Sequence, residues 1–288
     1  MLITIPRLAK RWLAVGSLQV CALPIVLAQC VSTLLSASSQ VNTLCPMVSS
    51  MTLSLGMVAL ARTPAINARR RDSVMLMAMA ILFVIPSQQL GWLCVLLTGL
   101  LVLARGRQYG SLHNQISQGQ ITPKQAQVAG WIITLTAGAN VLTTYSMKWF
   151  AGPILAFDAQ LMAIVLSMAN VPFQLSGNLL QGPSDHQLMI LRGCSSLLLM
   201  GNSLLALGCV LMFRGAVSVK RFALLALLLG LAVLSLNLIR LTMMTFDLHW
   251  HQWWHSETGM MQFQLLSIAL VFVVLALGGR HGCAAHAR

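Results

Sequence analysis

A thiol, a guanidinium and an imidazole, carried by three separate stretches, are the groups of this chain whose chemistry would combine. They are Cys194 in Arg192-Gly-Cys-Ser-Ser-Leu-Leu-Leu-Met200, Arg240 in Leu236-Asn-Leu-Ile-Arg-Leu-Thr242, and His255 in Asp247-Leu-His-Trp-His-Gln-Trp-Trp-His-Ser-Glu-Thr-Gly259. Cys194 falls in the first turn of an expected apolar helix, where unpaired N–H groups and the helix dipole favour negative charge, and Arg192 is close by. Such a thiol is a candidate nucleophile. An arginine at the depth of Arg240 costs on the order of 2.5–3.5 kcal/mol at a helix centre, so it is normally paired or functional. Asn237, three residues earlier, shares its helix face. The last stretch offers two readings: one histidine acts as a general base, or His249, His251 and His255, with Asp247 or Glu257, ligate zinc or copper. Trp253 and Trp254 suit a headgroup-level aromatic belt.

The elements that must position these groups follow from composition. With 57% hydrophobic and 8% charged residues over 288 positions and a mean hydropathy of +0.80, the apolar content exceeds what a soluble core of this size buries. Long Leu/Met/Ala/Val runs, without the alternation of a membrane barrel, predict an all-α polytopic transmembrane helical bundle forming one integral membrane domain over 1–288. The net charge of +13 punctuates hydrophobic runs and is not interleaved with exposed aromatics, which points to membrane orientation and away from nucleic acid. Cys21, Cys30, Cys45, Cys94, Cys194, Cys209 and Cys283 show no CxxC and no metal-like spacing.

Taken in order, the runs predict eight spans. Trp12 to about Leu35 is the first, although Val26-Leu-Ala-Gln-Cys30 has a faint lipoprotein-box look, and 44–61 is the second. Residues 73–104 are bounded by Arg69-Arg-Arg71 and by Arg105 and Arg107, so they go out and return as a hairpin turning at Pro86. Residues 105–127 read as an inner loop and 128–147 as the fifth span. Residues 152–172 carry Asp158, Gln160 and Asn170 between Pro153 and Pro172, and read as an interfacial or re-entrant helix on the outer face. An outer polar segment follows over 173–190, then span six (191–213), span seven (222–246), an outer loop (247–259) and span eight (260–278). This arrangement keeps every Lys and Arg but Lys148, Arg192 and Arg240 on the cytoplasmic side, and of the five acids only Asp72. Both termini are then cytoplasmic, and Cys194, Arg240 and His255 share the outer face.

The three motifs together resemble the exosortase/archaeosortase family of membrane cysteine transpeptidases. Its pattern is matched by Cys194-Ser195-Ser196, by Asn237-Leu-Ile-Arg240-Leu241 and by His255-Ser-Glu-Thr258-Gly259; Gln160 to Gly177-Asn178 is similar to its outer helix and Gly-Asn turn. The resemblance covers 150–278, while 1–149 match as generic spans. Gly193 stands where an acidic residue is usual and Ser196 where a glycine is, and Leu197 and Leu198 occupy the region of a frequent arginine.

The resemblance implies a single catalytic part that acts at the outer face of the inner membrane. Its substrates are exported proteins bearing a C-terminal tag of short motif, membrane span and basic tail. It further implies Cys194 as nucleophile, His255 as proton acceptor and donor, Arg240 as stabiliser of the oxyanion or thiolate, and Asn178 and Asn237 as supporting residues. Neither an organic cofactor nor a metal is called for. The alternative is a transporter or metal-handling membrane protein that captures a cation at His249, His251 and His255.

Overall fold

The computed structural model describes residues 18–39, 44–63, 70–83, 85, 87–113, 124–182, 187–215 and 218–279. The start of the first expected span, the turn residue Pro86 and the basic tail 280–288 lie outside them. The described chain is helical apart from one small sheet and falls into two compact units.

The first unit takes most of α1 (Leu18–Ser39) and α2 (Leu44–Ala61), all of α3 (Arg70–Phe83) and α4 (Gln88–His113), and α5 (Lys124–Trp149) up to Val141. Leu53, Leu60, Val95, Val102 and Ile133 are wholly or almost wholly buried in its core. Lipid tails are as apolar as leucine, so helices associate through close packing and small residues. A Cβ at Gly130 would stand 2.7 Å from the Leu103 nitrogen, and one at Gly99 would stand 2.7 Å from the Thr134 nitrogen, which lets α4 and α5 approach backbone to backbone. The two helices of the expected hairpin, α3 and α4, pack together, although α3 with 14 residues is shorter than a membrane span. Arg105 Nη2 donates to Asp72 Oδ1 at 2.5 Å, joining the first turn of α3 to the far part of α4. A buried carboxylate in such surroundings requires a partner of this kind.

The second unit contains the end of α5, α6 (Ala151–Met168), the sheet, α7 (Ser196–Arg214) up to Gly208, α8 (Val219–Phe246), α9 (Leu248–His255) and α10 (Glu257–Gly279). Five described helices are long and apolar enough to cross a membrane: Gln88–Gln108, Ala151–Met168, Ser196–Arg214, Val219–Phe246 and Glu257–Leu277. They include α6, which the sequence reading set on the outer face. Within this unit, however, the middle of α6 is level with helix ends. Asp158 bonds the first residue of α7, and the Thr242 hydroxyl reaches Met162 Sδ at 3.7 Å from the last turns of α8.

Helix α8 has 28 residues and runs roughly 42 Å at ~1.5 Å per residue, longer than the ~30 Å hydrocarbon core. Its buried residues Leu225, Leu229, Val233, Asn237, Arg240 and Met244 follow one stripe at intervals of three and four, so Asn237 and Arg240 face inward by the same periodicity as the leucines.

The expected outer polar segment is instead a three-stranded antiparallel sheet of β1 (Gln174–Ser176), β2 (Leu179–Gln181) and β3 (Gln187–Met189). Gly177, with φ of 60° at the first central position, makes the two-residue turn that pairs Ser176 with Leu179. Leu180, Leu188 and Ile190 are buried without exposure and anchor the sheet. The expected outer loop 247–259 likewise folds, as the short helix α9. Asp247 caps it by accepting from His249 N at 2.9 Å.

Candidate active site

Strand β3 runs into a 3-10 turn over Arg192–Cys194, and α7 begins at Ser196. Cys194 therefore precedes the helix, where the sequence reading had it inside the first turn, because Ser195 is extended (φ −70°, ψ 121°) and separates the two elements. The thiol residue is 4% exposed.

Its backbone is held from several sides. Cys194 N donates to the Leu191 carbonyl at 2.9 Å. Asn178 clamps the approach to the turn, its Nδ2 donating to the Ile190 carbonyl at 2.9 Å while its own carbonyl accepts from Ile190 N at 2.9 Å. Arg192 Nη2 donates to the Met147 carbonyl at 2.9 Å. Asn237 Nδ2 donates to the Cys194 carbonyl and to Ser196 Oγ, both at 2.8 Å. Asp158, with no exposure, accepts from Ser196 N through Oδ1 and Oδ2 at 3.2 and 3.1 Å. A carboxylate from α6 thus satisfies an N–H that the start of α7 would otherwise leave unpaired. The Ser196 hydroxyl, which accepts from Asn237, also faces this carboxylate, so Asn237, Ser196 and Asp158 form one polar chain beneath Cys194.

Arg240 is 4% exposed and lies within electrostatic reach of Cys194. Its guanidinium carbon lies 4.5 Å from the centre of the Phe263 ring on α10 and 5.9 Å from that of Trp254 on α9. Each ring attracts a cation by about 0.5–2 kcal/mol. No hydrogen bond joins Arg240 to another described side chain, and its buried Nε has no acceptor. A guanidinium carries five donors, and a buried charge of this kind is ordinarily paired and hydrogen-bonded.

His255 is the last residue of α9 and is half-buried. Its Nδ1 lies 3.0 Å from the His251 carbonyl. A carbonyl only accepts, so Nδ1 is the donor, and in the neutral ring Nε2 is the nitrogen that bears the lone pair. Among the described residues no hydrogen bond joins His255 to Cys194 or Arg240; its sequence neighbour Trp254 makes the contact with Arg240. The His251 and His255 rings stack with centroids 4.4 Å apart, and His249 packs edgewise on Trp250 at 6.3 Å. No three described His, Cys, Asp or Glu side chains form a group able to hold a metal ion.

Trp254 corrects the sequence reading. It is 8% exposed and packs on Phe263 at 6.2 Å and under Arg240, so it belongs to the site and not to a headgroup belt. Asp158 was also missed as a member of the site, although a carboxylate inside an apolar helix is itself a signal of a buried partner.

No curated protein and no solved structure matches the chain. The family profile described as Transmembrane exosortase matches residues 86–273, a stretch that contains Asp158, Asn178, Cys194, Asn237, Arg240, Trp254, His255 and Phe263. The match spans well over half of the sequence and holds every residue hydrogen-bonded around Cys194, and on it the chain belongs to the transmembrane exosortase family.

Proposed function

We propose that the chain is a membrane cysteine transpeptidase or peptidase that removes C-terminal sorting tags from exported proteins at the outer face of the inner membrane. The observation that carries this reading is a buried guanidinium without a hydrogen-bond partner beside a buried thiol. An arginine kept unpaired in a water-poor place is poised for an anion that exists only during the reaction.

In this mechanism Cys194 Sγ attacks the carbonyl carbon beside the tag motif, and its proton passes to His255 Nε2. The new C–S bond converts the carbonyl to a tetrahedral oxyanion that Arg240 faces. Collapse breaks the C–N bond, and His255 returns the proton to the leaving amine, so a thioester remains on Cys194. An amine nucleophile, a lipid amine among them, or water then attacks the thioester and releases the thiol. Asn178 and Asn237 hold the backbone before and at the nucleophile. The basic residues of the loops between the long helices favour an extracytoplasmic site with both termini in the cytoplasm.

The test is replacement of Cys194 by Ala or Ser in the host membrane, with expression checked by immunoblot and the C termini of exported proteins read by mass spectrometry. Precursors with intact C-terminal tags accumulate in both variants. Continued cleavage in Cys194→Ala overturns the reading.

A further inference from the structure

Among the described residues the sheet ahead of Cys194 has an unpaired edge, and its register says which atoms it offers. Ile190 N donates to the Asn178 carbonyl, so Asn178 and Ile190 form a hydrogen-bonded pair. Antiparallel pairs alternate, and with Leu179 opposite Met189 and Leu180 opposite Leu188, the N–H and C=O of Met189 and of Gln187 point away from β2. Strand β3 is last in the sheet, and no hydrogen bond from either backbone to a described residue fills that side. Gln187 and Met189 are both exposed, whereas Leu188 between them is buried. Two outward donors and two outward acceptors therefore line a strand that ends five residues before the thiol.

We infer that this edge of β3 is the docking strand for the substrate, which adds to the sheet as an extended segment next to its scissile bond. The inference rests on the proposed peptide chemistry at Cys194 and names how the chain to be cut is held. Its occupant is the polypeptide of the exported protein between its folded part and its membrane span. That segment must be extended for a thiol to reach its carbonyl, and on leaving water for the site its backbone N–H and C=O groups need new partners. An edge strand supplies them regardless of side chain, while alternate side chains of the added strand fall on the two faces of the sheet and set selectivity. The continuity of β3 with the turn Arg192–Cys194 fixes the register of the bound chain against the nucleophile.

The experiment uses the full chain in lipid nanodiscs and, as substrate, the uncleaved precursor purified from Cys194→Ala cells. Met189→Pro removes an outward N–H without taking a bond from the β2–β3 ladder, a substitution edge strands tolerate. It raises KM for precursor cleavage about tenfold, with the iodoacetamide reactivity of Cys194 unchanged. Met189→Ala keeps the N–H and falls well short of that effect. Leu175→Pro makes the same change on the opposite edge, at β1, and cleaves at the wild-type rate. In Cys194→Ala, hydrogen exchange at the Gln187 and Met189 amides slows about tenfold or more when the precursor is added. Equal KM for the proline and alanine variants at position 189, or unchanged exchange, overturns the inference. So does protection present before precursor is added, which means that a second copy of the chain covers the edge. Cleavage that survives Cys194→Ala is a different failure, because it removes the catalytic reading itself.

Discussion

Asn237 Nδ2 donates to the Cys194 carbonyl at 2.8 Å, so the residue proposed as nucleophile is fixed by its backbone from the same helix that carries Arg240. The distance between thiol and guanidinium is thereby set over a single helical turn. Asn237→Ala leaves a buried carbonyl without its donor, at a cost of about 1–3 kcal/mol. Thermal unfolding in nanodiscs detects this as a lowered midpoint, and precursor cleavage falls with it. Asn237→Asp loses the donors and places a carboxylate near Asp158, and destabilises more than the alanine.

Arg240→Gln removes the charge and retains a polar side chain of similar reach. Loss of one preorganised stabiliser of a developing anion costs about 10²–10³ in rate. We expect that loss in single-turnover cleavage, with precursor binding much less affected. Arg240→Lys does not restore the rate, because an ammonium lacks the planar group that lies 4.5 Å over Phe263.

Single substitutions in α9 separate the histidines. His255→Gln removes the proposed proton carrier and lowers cleavage about 10²–10⁴-fold. His249→Gln leaves cleavage at the wild-type level, since His249 packs on Trp250 and makes no contact with the thiol or the guanidinium. The opposite pattern, with His249 sensitive and His255 silent, contradicts the assigned base.

Gly259 abuts the end of α9 so closely that a Cβ there would lie 2.1 Å from the Trp253 carbonyl oxygen. Gly259→Ala forces α9 and α10 apart at a cost of about 1–3 kcal/mol, read as a lower unfolding midpoint. It also shifts Trp254 relative to Arg240, so cleavage falls beyond the stability loss.

On the proposed topology, in which the basic loops are cytoplasmic, a reporter fused after residue 185 is active outside the cytoplasm. A cytoplasmic reporter at that position places Cys194 in the wrong compartment for exported substrates.

The long helices were legible because apolar runs bounded by charge translate directly into length. The reading of 44–61 matches α2, and 222–246 and 260–278 fall within α8 and α10. The hairpin of α3 and α4 was legible from basic residues at both its ends, and Asp72 with Arg105 closes it. The sheet was not, since three-residue strands are too short to show alternation. Helix α9 was hidden by its composition, Leu-His-Trp-His-Gln-Trp-Trp-His, in which no apolar period stands out; the Asp247 cap was its one local sign. Within the site, the inward facing of Asn237 and Arg240 followed from helix spacing, whereas Cys194 stands in a turn ahead of α7 that the spacing did not show. The bond from Ser196 N to Asp158 spans 38 residues and has no local trace. The sequence showed Gly193 in place of an acidic residue before the thiol, and the folded chain brings a carboxylate to the other side of it, from α6.

The unpaired guanidinium of Arg240 has a consequence for reagents as well as for catalysis. A fixed positive charge among aromatic rings attracts anions and repels cations that approach Cys194. Among thiol-directed compounds of equal size, a sulfonate-bearing methanethiosulfonate modifies this cysteine faster than its trimethylammonium counterpart. An inhibitor for this site is accordingly an electrophile with a small acidic group placed where the oxyanion would form.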